Sequence, residues 1–209
     1  MNYHAAYFTK LIFFAGCLAL GCSSSGTLGC GSGDGASAPT VDTQLLGIYQ
    51  LDQYQQSEGG CDQLVDVDPA PSRLAMYTVP SNENPDKAVL VGQLCGSVLD
   101  CRRRVKDLPT IINYSFLEGS DATGWTGWGF PSEGDMDGDQ CRVEVQTHTL
   151  TSPSSQAIRI DTRQVETVFM GMVEGNDATC ARRDAIASIN DESPCTALFL
   201  LEATFETSL

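Results

Sequence analysis

Histidine is almost missing from this chain: only His148 lies beyond the first twenty-one residues. No Cys-x-x-Cys pair occurs, so zinc lacks its usual ligand sets. Basic residues are also scarce. Twelve Lys and Arg stand against 27 Asp and Glu, giving a formal net charge of −15 at pH 7. Such an excess repels nucleic acid and anionic headgroups, which argues against a nucleic-acid partner. A membrane-spanning helix needs about 20 apolar residues, and the clearest apolar run, Leu11 to Leu20, stops well short. Internal repeats are absent, and helical periodicity is rare. Catalytic signals are lacking too. His148 sits on the polar side of its segment with nothing to mark a Ser or Cys partner, so it reads as an exposed surface histidine rather than a base. No catalytic residue is assigned, and an enzyme is the less expected outcome.

What is present begins with an export signal. Met1 to Lys10 carries no acid and one basic side chain, the apolar run follows, and the small residue Gly21 precedes Cys22. These are the three parts of a secretory signal. Leu18-Ala19-Leu20-Gly21-Cys22 resembles the lipobox of bacterial lipoproteins, with Ala at the position usually held by Leu. The resemblance implies cleavage before Cys22, palmitate-type acylation of that cysteine, and a membrane partner reached through the lipid anchor. Ser23, where Asp would signal inner-membrane retention, implies the outer membrane. Several acyl chains make a stable anchor where one does not. Loss of residues 1–21 removes Lys10 and no acid, so the mature chain is still more acidic. Residues 22–43 read as the lipidated cysteine and a Gly/Ser-rich flexible linker, and 44–209 as a single β domain.

Six cysteines fall in the folded part: Cys61, Cys95, Cys101, Cys141, Cys180 and Cys195. In an exported chain they read as three disulfides. Cys180 with Cys195 is favoured because they bracket a short segment, Cys95 with Cys101 is plausible, and Cys61 with Cys141 follows by default. Cys30, in the linker, is left as a free thiol or a link to another chain.

The dominant pattern is alternation with period two. Residues 141–149 set Cys141, Val143, Val145, Thr147 and Thr149 against Arg142, Glu144, Gln146 and His148. Residues 111–117, 158–163 and 199–206 alternate in the same way, and strands are also expected at 45–54, 73–79, 87–94 and 125–130. Residues 157–173 read as one long bent strand or as a hairpin near Arg163-Gln164. Two short helices are expected: one from the capping box Ser97-Val98-Leu99-Asp100 toward Val105, one carrying Ala181, Ala185, Ile186 and Ile189. The fold class is therefore all-β: an antiparallel up-and-down barrel, or a sandwich, of about eight strands stapled by disulfides. Gly47-Ile48-Tyr49 is similar to the Gly-x-Trp signature of lipocalins, with Tyr for Trp, and that similarity implies an eight-stranded ligand-binding barrel.

Two segments are candidate sites. Gly124 to Phe130 concentrates both tryptophans, Trp125 and Trp128, as ligand-binding aromatics, although on a regular strand they face opposite ways and at least one would pack in the core. The run from Glu133 to Glu144 has oxygen ligands spaced as in a calcium loop, with Glu133, Asp135, Asp137, Asp139 and Glu144 as candidates and Gly138 at the turn. Glu at the first position and Gln140 at the eighth depart from that loop, and an acidic solvated hairpin accounts for the same residues. The function expected is a membrane-tethered, non-catalytic barrel that binds an apolar small molecule or an envelope protein. A barrel filled by its own side chains would favour a structural or protein-contact role instead. Two carboxylates converging beside Trp125 or Trp128 would favour a hydrolase of envelope glycans.

Overall fold

The structure, a computed structural model, describes residues 41–81, 87–107, 112–131, 135–137, 139–174, 177–180, 182–190 and 192–209. Cys22, Cys30 and the export signal lie outside the described residues, as does Glu133.

Among the described residues, thirteen strands and two helices follow in chain order: β1 (Gly47–Ser57), β2 (Leu64–Asp66), β3 (Arg73–Pro80), β4 (Ala88–Cys95), α1 (Val98–Lys106), β5 (Tyr114–Phe116), β6 (Glu118–Ser120), β7 (Gly124–Gly129), β8 (Asp135–Asp137), β9 (Gln140–Ser154), β10 (Ala157–Met170), β11 (Met172–Glu174), β12 (Asp177–Thr179), α2 (Arg182–Ser188) and β13 (Cys195–Thr207). The main sheet runs β5-β4-β3-β1-β13-β10-β9-β7-β6, every pairing antiparallel. Its two ends, β5 and β6, are consecutive in the chain and separated only by Leu117. That residue's N–H donates to the Thr126 carbonyl at 2.9 Å. Residues 114–120 thus act as one kinked strand, paired with β4 on one side and β7 on the other. The result is a nearly closed, barrel-like sheet of eight staves in up-and-down order. Gly127 permits the seam, because a Cβ there would overlap the Ser115 carbonyl. The 157–173 segment begins as one strand, β10, paired with β9 along most of its length.

Large side chains fill the barrel axis. Tyr49, Met76, Phe116, Leu150, Ile160 and Leu201 all belong to the central cluster and are essentially inaccessible. Each contributes roughly 1.5–3 kcal/mol by leaving water. The helices cover two patches on the outside. Cys101, with Val98 and Val105, places α1 over Ile48, Ala75, Tyr77 and Val91. Ser97 caps this helix by accepting from the Asp100 N–H at 3.1 Å, as its sequence indicates. Ala185, Ile186 and Ile189 place α2 over Val143, Val145 and Val165. Under the helices a stave is therefore dry on both faces. Simple alternation marks the inner face only where the outer face is bare.

Three disulfides form among the six expected cysteines, and two of the pairings correct the sequence reading. Cys95 pairs with Cys101 as anticipated, across a Cα–Cα distance of 5.2 Å. Cys180 joins Cys141 instead of Cys195, and Cys195 joins Cys61, both with Cα atoms 5.6 Å apart. The reason is the position of α2. Cys180 precedes a helix packed on the outer face of β9, where Cys141 points, while Cys195 already opens β13. There it meets the loop joining β1 to β2, which carries Cys61.

Candidate binding site at the barrel mouth

The chain enters the barrel at one end and seals it. Val41 packs against the central cluster and Leu45 is buried within it. The Thr43 hydroxyl and the Gln44 N–H each donate to the Asp121 carboxylate at 2.6 Å, and the Trp125 indole N–H donates to it at 2.9 Å. Burial pushes the Asp121 carboxyl up, but these three donors outweigh it and hold the group below the usual carboxylate range. Beneath this network the Tyr49 hydroxyl donates to the Leu45 carbonyl at 3.2 Å. Residues 41–43, read from sequence as the end of the linker, are thus held against the barrel.

The other end is a shallow mouth. Tyr54, five residues along β1 from Tyr49, lies about 16 Å further up the stave. With Leu94, Asn113, Tyr114, Gln146, Thr162 and Phe199 it lines a cleft of about 170 Å³. None of these seven side chains is charged. Asn113 accepts the Leu94 N–H at 2.9 Å through its carbonyl oxygen, which leaves its NH₂ group for a ligand. The Gln146 amide NH₂ donates to Gln164 at 2.9 Å, which leaves the Gln146 carbonyl oxygen. Burial, with Tyr54 close by, pushes the Tyr114 phenol up, so it stays a neutral hydroxyl.

His148 lies under this cleft, and here the sequence reading is corrected. It is 1% exposed rather than a surface residue. The inward face of β9 is dry at His148 and Leu150, whereas Cys141, Val143 and Val145 face outward under α2. Its Nδ1 shares a 2.9 Å hydrogen bond with Thr162 Oγ1, and its ring stands edge-on to Tyr114 at 5.2 Å between centroids. Nε2 is buried and has no partner among the described residues. A Cβ on Gly129 would sit 3.1 Å from Nε2 and 3.8 Å from the Gln146 carbonyl oxygen, so both atoms border the space this glycine leaves. Burial drives the imidazole pKa down to about 4, so the ring is neutral at physiological pH.

Comparison of the chain with known protein families, with curated proteins and with solved structures yields no significant match. The site therefore has to be judged by its own chemistry.

The residues singled out from sequence are scattered. Trp125 is buried inside the barrel and Trp128 packs half-buried against the outer cluster under α2, so the two face opposite ways. Asp135 and Asp137 lie on β8, paired in a hairpin with Arg142 and Gln140, and both are exposed, as is Asp139. Glu144 lies beyond that hairpin, opposite Glu166 on β10. Among the described residues no group of three or more His, Cys, Asp or Glu side chains is placed to hold a metal ion. The basic run Arg102-Arg103-Arg104 is on α1, where Asp100 pairs with both Arg103 and Arg104. Sequence reasoning missed the mouth because its residues come from six separate strands or their flanks.

Proposed function

We propose that this chain is an outer-membrane lipoprotein, anchored through acylated Cys22, whose barrel is a non-catalytic module that grips an envelope component at its mouth. The anchor rests on the sequence alone, and one observation supports the binding part: the barrel axis is filled by its own side chains, while one end keeps a cleft whose Asn113 and Gln146 have hydrogen-bonding groups to spare. The filled axis favours an envelope partner over carriage of an apolar molecule inside the barrel. Pockets for drug-sized ligands run to about 300–1,000 Å³, and the mouth is smaller than that. The same filled axis also suits a purely structural protein, which would have no use for the unpaired groups. A glycan hydrolase is less well supported, since the cleft lining has no carboxylate and Asp121, beside Trp125, is committed to three donors.

Photo-crosslinking in intact cells tests this. A photoreactive residue at Asn113 should give a discrete adduct, and one at Gln156, in the turn between β9 and β10, should give none. Equal labelling, or none from Asn113, overturns mouth binding. Cys22→Ser should release the protein from the membrane; a retained variant overturns the anchor.

A further inference from the structure

Resting on the mouth-binding reading, the cleft's chemistry narrows what it can hold. A charged ligand would need a counter-charge, and none of the seven lining residues provides one. An apolar ligand would bury the Asn113 NH₂ group, the Gln146 carbonyl oxygen and two tyrosine hydroxyls without partners, each a substantial penalty. The ligand has to be neutral and able both to donate and to accept hydrogen bonds. It also has to present an apolar face to Tyr54, Tyr114 and Phe199. At about 170 Å³ the cleft suits a single ring rather than an extended chain. A cyclic polyol meets all of these conditions: hydroxyl groups around its edge, C–H groups on its face, and no charge.

We propose that the mouth binds one neutral sugar residue, with the Asn113 NH₂ group donating to one ring hydroxyl and the Gln146 carbonyl oxygen accepting from another. His148 lies behind this lining and is joined to it through Thr162 and Tyr114. Binding of one ring through a shallow cleft should be weak, with a Kd on the order of 1 mM.

The test is protein-observed NMR on the mature chain, titrated separately with glucose, galactose, mannose and N-acetylglucosamine up to about 50 mM, the range a millimolar Kd requires. At least one sugar should shift the His148 ring nitrogens together with the amides of Asn113 and Gln146, and leave those of Thr43 and Gln44 unmoved. Gln146→Ala, at a half-buried site, should keep the folded spectrum and weaken binding about tenfold. Absence of shifts with all four sugars, or equal shifts with glycerol, overturns the sugar proposal. A discrete Asn113 crosslink in that event would preserve the mouth-binding reading and direct it to a protein partner; loss of the crosslink would remove both.

Discussion

The two ends of the barrel are built on opposite principles. At the sealed end the Asp121 carboxylate collects three donors, Trp125 closes the floor, and Tyr49 finds the Leu45 carbonyl. At the mouth, Asn113 and Gln146 keep hydrogen-bonding capacity that no described residue uses, and behind it so does His148. The first arrangement is satisfied within the protein, and the second is left to water. The contrast teaches how differently the two ends use polar groups: one commits them to the fold, and the other leaves them uncommitted.

The contrast is most directly broken at the sealed end. Trp125→Ala removes a buried indole and one of the Asp121 donors, so it should destabilise the domain by about 3–5 kcal/mol in denaturant unfolding. A loss under 1 kcal/mol would mean that this end is not the structural one. The next effect is a pH slope. Burial lowers the folded pKa of His148 from the ordinary imidazole value of 6.5 to about 4, so in that window the unfolded chain binds a proton that the folded one refuses. Its contribution is therefore complete above pH 6.5 and is lost as pH falls toward 4, in total about 3 kcal/mol. Tyr114, Phe116, Thr162 and Gly129, which surround the ring, carry no charge to compensate. Stability measured between pH 7 and 4 should fall in the wild type and stay much flatter in His148→Phe; parallel curves would assign the slope to other groups. The smallest effect is the sharpest test of the comparison. Gln146→Ala should change stability by no more than about 0.5 kcal/mol, although it sits on the same stave as His148. A larger loss would show that the mouth, too, is part of the scaffold.

Much of the architecture could be read from the residues, because period-two alternation reports which side chains share a face. It marked the staves of β5–β6, β9, β10 and β13, the other four were expected as further strands, and the capping box at Ser97 located α1. Alternation does not say which face is inside. On β9 the outward residues Cys141, Val143 and Val145 are the more apolar because α2 covers them, so the pattern placed His148 on the wet side. Disulfide pairing failed for a related reason: Cys141 and Cys180 are brought together by that same helix, which proximity along the chain does not register. The opposed directions of Trp125 and Trp128 were legible, since both lie on one regular strand. The mouth was not, because Tyr54, Gln146, Thr162 and Phe199 meet only after four distant staves are curled together.

The bond between Cys61 and Cys195 has a consequence for how such a barrel is found at all. Its partners are 134 residues apart, one just past the first stave and the other opening the last. In a meander barrel every other neighbouring pair of staves is local in the chain, and only first-to-last pairing demands a long search. The oxidised chain carries that one remote contact as a permanent ring, which in a chain-entropy view restricts the unfolded ensemble by on the order of 5 kcal/mol. Even fully denatured, the molecule remains a loop, with the ends of its barrel already introduced to each other.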